Sequence, residues 1–214
     1  MNVEARPKII GAAVQRLEDP RLLTGCGRFI DDIPLPRMLH VAFCRSDYGH
    51  ARIVNIETAD AATMLGVVGI YTAQDLADEF KPIRATSRMA DYYPTELGVL
   101  ARGKVRYVGE AVVAVVAESR YLAEDAAERV MIDYDRLGDA VDPLANINDD
   151  SPLLHEDAGT NVLVTRTFHR GDVDEAMDGA AVRVRDTFHM HRKTPTAMEN
   201  RGYVADYDQG RRTL

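Results

Sequence analysis

The sequence predicts an α+β protein in which helices pack on a mixed sheet, followed by a second, incomplete domain. Three stretches carry that reading. Ala111–Ala117 (AVVAVVA) is an unbroken run rich in β-branched valine, short enough for a strand buried on both faces. Ser119 is placed to cap a helix running from Arg120 to about Met131, with Leu122, Ala123, Ala126, Ala127, Val130 and Met131 on its apolar side. Asp125 and Arg129 form a favourable i,i+4 pair on its polar side. Val130, Ile132 and Tyr134 then alternate with Met131, Asp133 and Asp135, the signature of a half-buried strand. Strand, helix, strand in that order favours a parallel or mixed pairing with the helix as the crossover.

The flanking elements follow from local chemistry. Met1–Gly27 reads as an arm anchored by Leu22 and Leu23. Met38–Ser46 alternates as a strand, Asp47–His50 turns the chain, and Ala51–Glu57 returns as the second strand of a hairpin. Thr58 or Asp60 caps a short helix over Ala61–Leu65, and Gly66 stops it before a buried strand at Val67–Tyr71. Thr72 and Asp75 resemble a capping box ahead of Gln74–Glu79. Lys81–Gly98, with Pro82 and Pro94 and no period, reads as a loop over the sheet edge. After Tyr134, Gly138, Pro143, Asn146, Asn148, Asp149, Asp150, Ser151 and Pro152 mark a linker. Beyond it the pattern predicts strands at Asn161–His169, Ala181–His191 and Tyr203–Tyr207, and a short helix Val173–Met177 capped by Asp172. The expected organisation is an arm (1–28), a first domain (29–146), a linker (147–160) and the start of a second domain (161–214).

Bulk properties narrow the function. A net charge of −8 argues against nucleic acid or an anionic membrane as partner. No stretch approaches the ~20 apolar residues of a membrane span. MNVEARPKII lacks the pattern of a secretory signal, and Cys26 and Cys44 form no disulfide framework or cluster-ligand spacing, so the expected compartment is the cytoplasm. Three small motifs suggest chemistry and then lose it. The GxG of Gly25-Cys26-Gly27 lacks the strand-to-helix context of a phosphate loop. Ser46, Asp47 and His50 suggest a nucleophilic relay, but residues around one turn cannot easily aim their side chains into it, and a polar turn is the better account. His189 and His191 share a strand face without a third metal ligand nearby. No catalytic, cofactor-binding or metal-binding residue is therefore assigned.

Four blocks together carry a resemblance. RLLTGCGRFIDD (Arg21–Asp32), MLHVAFCRSDYGHARI (Met38–Ile53), KVRYVGEAVVAVVAESRYLAEDAAE (Lys104–Glu128) and TPTAMENRGYVADYD (Thr194–Asp208) resemble the start of the large subunit of molybdenum hydroxylases. That family includes xanthine dehydrogenases, aldehyde oxidases and the carbon monoxide dehydrogenase type. The resemblance implies an a/b hammerhead domain at 29–146 and the opening of a molybdopterin-binding domain at 161–214. It implies a parent oxidoreductase that hydroxylates an aldehyde or N-heterocycle with water as oxygen source. The molybdenum cofactor would be bound by residues outside these 214, and iron–sulfur clusters and FAD would lie on sister subunits. The chain alone would then be catalytically incomplete. Its partners would be the remaining molybdopterin-binding part and the iron–sulfur and flavin subunits. Glu199 matches the family glutamate at the mouth of the substrate pocket, although Ala197 and Asn200 stand where the family has prolines. The competing account of Glu199 is a strand-end carboxylate paired with Arg201. The alternative function is a stand-alone scaffold or subunit-interaction module without turnover.

Overall fold

The computed structural model describes residues 10–148 and 150–214. The first nine residues, on which most of the reading of MNVEARPKII as no secretory signal rests, lie outside the described residues, as does Asp149 of the linker cluster. The chain divides into two compact units, one of Met1–Pro36 with Asp186–Leu214 and the other Arg37–Arg185.

In the first unit, α1 (Asp19–Leu23) begins at a proline-containing turn, which suits the fixed φ of Pro20, and Thr24 closes it by donating to the Pro20 carbonyl. A 3-10 turn follows at Ile30–Asp32, with the Asp32 carboxylate accepting from the Phe29 amide. The only β feature of this unit among the described residues is the isolated Asp208–Thr213 bridge.

The second unit holds the ordered sheets. Its elements in order are β1 (His40–Arg45), β2 (Ala51–Glu57), α2 (Ala59–Ala62), β3 (Val67–Thr72), β4 (Ile83–Arg84), β5 (Glu96–Leu97), β6 (Lys104–Val105), β7 (Ala111–Ala117), α3 (Arg120–Ala127), β8 (Met131–Arg136) and α4 (Val173–Asp178). The valine run is β7, and it is central: the order of its sheet is β1-β7-β3. Val112, Val113 and Val115 are fully buried, and each contributes about 1.5–3 kcal/mol of burial free energy. A second sheet has the order β6-β2-β8, and β4 pairs β5 alone.

All ladders among the described residues are antiparallel, which corrects the expected parallel or mixed pairing. The strand-helix-strand pattern of β7, α3 and β8 is present, but β7 and β8 belong to different sheets, so α3 passes between sheets and need not carry a parallel crossover. The hairpin expected at Met38–Glu57 is corrected for the same reason. β1 pairs β7 while β2 pairs β6 and β8, and the turn between them moves the chain from one sheet to the other.

Local chemistry explains the ends. Ser119 accepts from the Leu122 amide at 3.3 Å and starts α3, whose Ala123 and Ala126 are buried small enough for the helix to approach the sheet closely. The helix stops at Ala127 rather than Met131. The Arg129 and Val130 amides turn back to the Ala126 and Ala127 carbonyls, and Met131 then pairs with Glu57 in β8. Arg129 reaches Asp60 at 3.9 Å instead of Asp125. Gly66 stands at φ +87°, so glycine is required for the turn, and an added Cβ would lie 2.7 Å from Leu122 Cδ1, the end of a side chain that would have to shift. The Thr72–Asp75 contacts form as expected, yet 73–79 makes only turns, a correction to the expected helix. Asp172 caps α4 through the Glu175 amide. The strands expected at 161–169, 181–191 and 203–207 form no ladder among the described residues. Their sequences alternate, but among the described residues no neighbouring strand receives their backbone groups.

Candidate functional site

Glu199 lies on an exposed stretch, and its Oε1 accepts from the Ile30 amide at 2.8 Å. It thereby ties two segments separated by most of the sequence and caps the first amide of the Ile30–Asp32 turn. Gly202 supports the contact. A Cβ there would meet Ile30 Cγ2 at 3.0 Å, so the absence of a side chain lets the two backbones approach. The carboxylate is thus engaged by an amide, not by Arg201.

A second cluster sits in the sheet-bearing unit, and sequence reasoning singled out only two of its members, Ser46 and His50. Ser46, His50, Lys104 and Glu110 are buried polar side chains in an otherwise apolar core. Such groups must find partners. Ser46 Oγ donates to the Tyr48 carbonyl and accepts from the Tyr48 amide, both at 3.0 Å, so it closes a turn. His50 Nδ1 lies 2.8 Å from the Gly138 carbonyl and its Nε2 lies 3.4 Å from Lys104 Nζ. Those partners assign the proton to Nδ1. Ser46 and His50 therefore face separate partners, and the relay suggested by Ser46, Asp47 and His50 is absent. The turn reading holds in its chemistry: Ser46 and His50 at its ends are buried, Asp47 and Tyr48 are exposed, and the turn joins two sheets. The signal that marks this cluster is the polar side chains at both ends of apolar strands, in SDYGH and in GKVRYVGE, but it gives no partner assignment in one dimension.

Lys104 leads to a strap. Its Nζ also holds Glu156 Oε1 at 2.6 Å. Arg106 Nε donates to the Leu154 carbonyl at 2.9 Å, and the Tyr93 hydroxyl donates to Asp157 Oδ2 at 2.7 Å. The Tyr93 amide adds a bond to the Leu163 carbonyl. The hydrogen bond from Lys104 holds the Glu156 carboxyl below the usual range, and that from Tyr93 does the same for Asp157. Burial, then the Arg106 charge, pushes His155 down. Residues 154–163 are thus fastened across the sheet-bearing unit.

Among the described residues no group of three His, Cys, Asp or Glu is arranged to hold a metal ion. His189 and His191 are exposed and have no third ligand. The Gly25-Cys26-Gly27 turn follows a five-residue helix and precedes a 3-10 turn, so it forms no phosphate loop. Within 167–201 every residue is exposed, so that stretch offers neither a buried donor nor an enclosed cradle for a molybdopterin.

Two three-stranded antiparallel sheets, with α3 packed on the β1-β7-β3 sheet, define an α+β module. The chain belongs to the aldehyde oxidase and xanthine dehydrogenase a/b hammerhead domain family, whose model matches residues 24–138. A molybdopterin cofactor-binding domain model matches residues 154–214. The chain is 38% identical over 200 residues to the nicotine 6-hydroxylase large subunit of Paenarthrobacter nicotinovorans, covering 94% of this chain and 24% of that protein. It is 37% identical to the carbon monoxide dehydrogenase large chain of Afipia carboxidovorans, covering 94% of this chain and 26% of the relative. Among solved structures it resembles quinoline 2-oxidoreductase from Pseudomonas putida 86, with a TM-score of 0.71 and 37% identity over 80% of this chain and 22% of that one. The chain thus spans about a quarter of the length of these curated relatives. The α+β hammerhead expected from the four blocks is borne out.

Proposed function

We propose that this chain serves as the hammerhead part of the large subunit of a molybdopterin-dependent oxidoreductase that hydroxylates an aldehyde or N-heterocycle with water as oxygen source. The observation that carries the proposal is the pair of matches, hammerhead at 24–138 and molybdopterin cofactor-binding domain at 154–214, on one chain in that order. When bound, the molybdenum cofactor supplies the oxidation chemistry. The residues described here supply scaffolding and have no cradle for it, so the 214 residues alone carry no turnover. We assign 29–146 to the hammerhead domain, 147–160 to a linker and 161–214 to the opening of the cofactor domain, as the sequence blocks imply. Partners in this reading are the remaining molybdopterin-binding part and subunits bearing iron–sulfur clusters and FAD. The names "large chain" and "complex subunit gamma" among the relatives support a multi-subunit assembly. Among the described residues no helix is long and apolar enough to cross a membrane, which accords with a cytoplasmic complex. Glu199 would stand at the rim of the substrate pocket in that assembly, with the Ile30 amide holding its carboxylate in place.

The test is co-purification from the native host followed by molybdenum and pterin analysis. Stoichiometric molybdenum and pterin in the complex, and none on the isolated chain, is the expected result. Pterin released from the isolated chain would overturn the claim that these residues lack the cradle. A native chain that purifies alone without molybdenum would favour the scaffold or interaction-module reading.

A further inference from the structure

The stretch 81–106 reverses the charge of the chain. It carries six basic residues against two acidic ones (Asp91 and Glu96), in a protein whose net charge is −8. Arg84 is spent on Glu96 at 3.5 Å and Lys104 on Glu156. Lys81, Arg88 and Arg102 have no ion pair or hydrogen bond among the described residues. The stretch borders a cavity of about 660 Å³, lined by the Leu76–Phe80 turn, the β4–β5 pair, 98–102, Arg106, Tyr107 and His155. Both carboxylates of the lining are already engaged, Glu96 by Arg84 and Glu110 by the Arg106 amide. The unmatched charge of the groove is therefore positive.

Its floor is apolar and open. Phe80, Ile83, Leu97, Val99 and Tyr107 line it at 54%, 71%, 48%, 52% and 48% exposure. Contiguous apolar surface of this kind marks a place for a partner. The β4–β5 pair adds a third property. It is a two-stranded ladder, two residues on each strand, and among the described residues both outer backbone edges are open with no further strand to stabilise it.

We propose that this groove is an interaction surface for an extended, acidic polypeptide segment carrying large apolar side chains. The apolar side chains would fill the floor, the carboxylates would meet Lys81 and Arg102, and the backbone would add to an open edge of β4–β5. The open edges decide against a small apolar anion or a lipid, because only another backbone presents the matching row of donors and acceptors. The concave shape and the net negative charge of the chain also disfavour an anionic bilayer. The inference stands on this unit alone and does not depend on the oxidoreductase reading.

The test uses the 214-residue chain and a short labelled peptide alternating glutamate with leucine and phenylalanine, read by fluorescence anisotropy. The expected results are saturable binding that weakens with added salt, and none with the same peptide bearing lysine for glutamate. K81E combined with R102E, both at exposed positions, should weaken binding by roughly tenfold while leaving the melting curve in place. Bound peptide should also slow amide exchange at 83–84 or 96–97 in the unaltered protein, a readout independent of the variant folding. Equal binding of the lysine peptide, unchanged affinity in the double variant, no protection at either strand, or stronger binding to anionic phospholipid vesicles than to the peptide would each overturn the proposal.

Discussion

Two valine-containing stretches of this chain, one an unbroken apolar run and the other alternating apolar with polar residues, have opposite fates. Ala111–Ala117 is hydrogen-bonded on both sides, by β1 and by β3, and its central valines are fully buried. Ala181–His191 makes no ladder, and Val182, Val184, Phe188 and Met190 are 79–94% exposed. β-propensity measures how well a side chain suits a pleated, half-buried surface, and that surface has to be provided by neighbours. The first stretch has two neighbouring strands and a helix within reach of the chain. The second has none among the described residues, so its apolar side chains gain nothing by alignment and its backbone stays solvated.

The largest effect that would break this contrast is Val113→Asp. An unpaired carboxylate in the middle of β7 costs several kcal/mol, comparable with a whole-domain stability of about 5–15 kcal/mol. The variant should lose its cooperative melt, whereas Val184→Asp should melt like the parent. A cooperative transition in Val113→Asp near the parental temperature would show that β7 is not the centre of the core. Hydrogen exchange sharpens the same comparison. Amides of 111–117 should exchange only through global opening, and those of 181–191 at close to random-coil rates. Comparable protection in a proven monomer would mean that 181–191 has a partner strand after all.

Smaller effects test how the core is fastened. Ser119→Ala removes the cap of α3 and should cost ~1 kcal/mol by denaturant titration. Lys104→Met should cost about 1–3 kcal/mol, because it leaves the buried His50 Nε2 without a donor, while the lost ion pair with the mostly exposed Glu156 adds little. It should also loosen the strap, seen as faster proteolysis within 154–163. The strap should also loosen in acid. His155 has its folded value below its ordinary 6.5, so the unfolded chain binds the proton first and stability falls as pH drops through about 6.5. Glu156 and Asp157, also held low, lose their contribution at lower pH still, as each falls through its folded value. A strap whose proteolysis rate is flat from neutral pH down to the carboxylate range would contradict this. The smallest change is Glu199→Gln. Its amide oxygen still accepts from the Ile30 amide, so stability should hold within ~0.5 kcal/mol, while Glu199→Ala should expose the Ile30 amide to faster exchange.

Much of the sheet-bearing unit was legible in one dimension. The strands β1, β2, β3, β7 and β8, the Ser119 cap and the Asp172 cap were all placed by spacing, because each depends on residues within a few positions of one another. Which strands pair did not follow. The sequence order β1, β2 suggested a hairpin, and β7-α3-β8 suggested a parallel crossover, yet both pairs divide between two sheets. Pairing is a choice among competing burial arrangements of the whole chain, and local pattern does not rank them. The candidate site divides the same way. Glu199 was found by its motif, but its bond to Ile30, 169 positions away, belongs to the tertiary structure. So does the His50–Lys104–Glu156 chain, in which each buried polar group is tolerated only because a distant segment satisfies it. The sequence by itself determined β1, β2, β3, β7 and β8 and the Ser119 and Asp172 caps, since these rest on side-chain period and local hydrogen bonds, and the resemblance of four blocks gave the hammerhead family. Only the tertiary structure decided the antiparallel pairing, the fastening of 154–163 and the cationic groove, because each requires residues far apart in the chain to share one dry or one charged space.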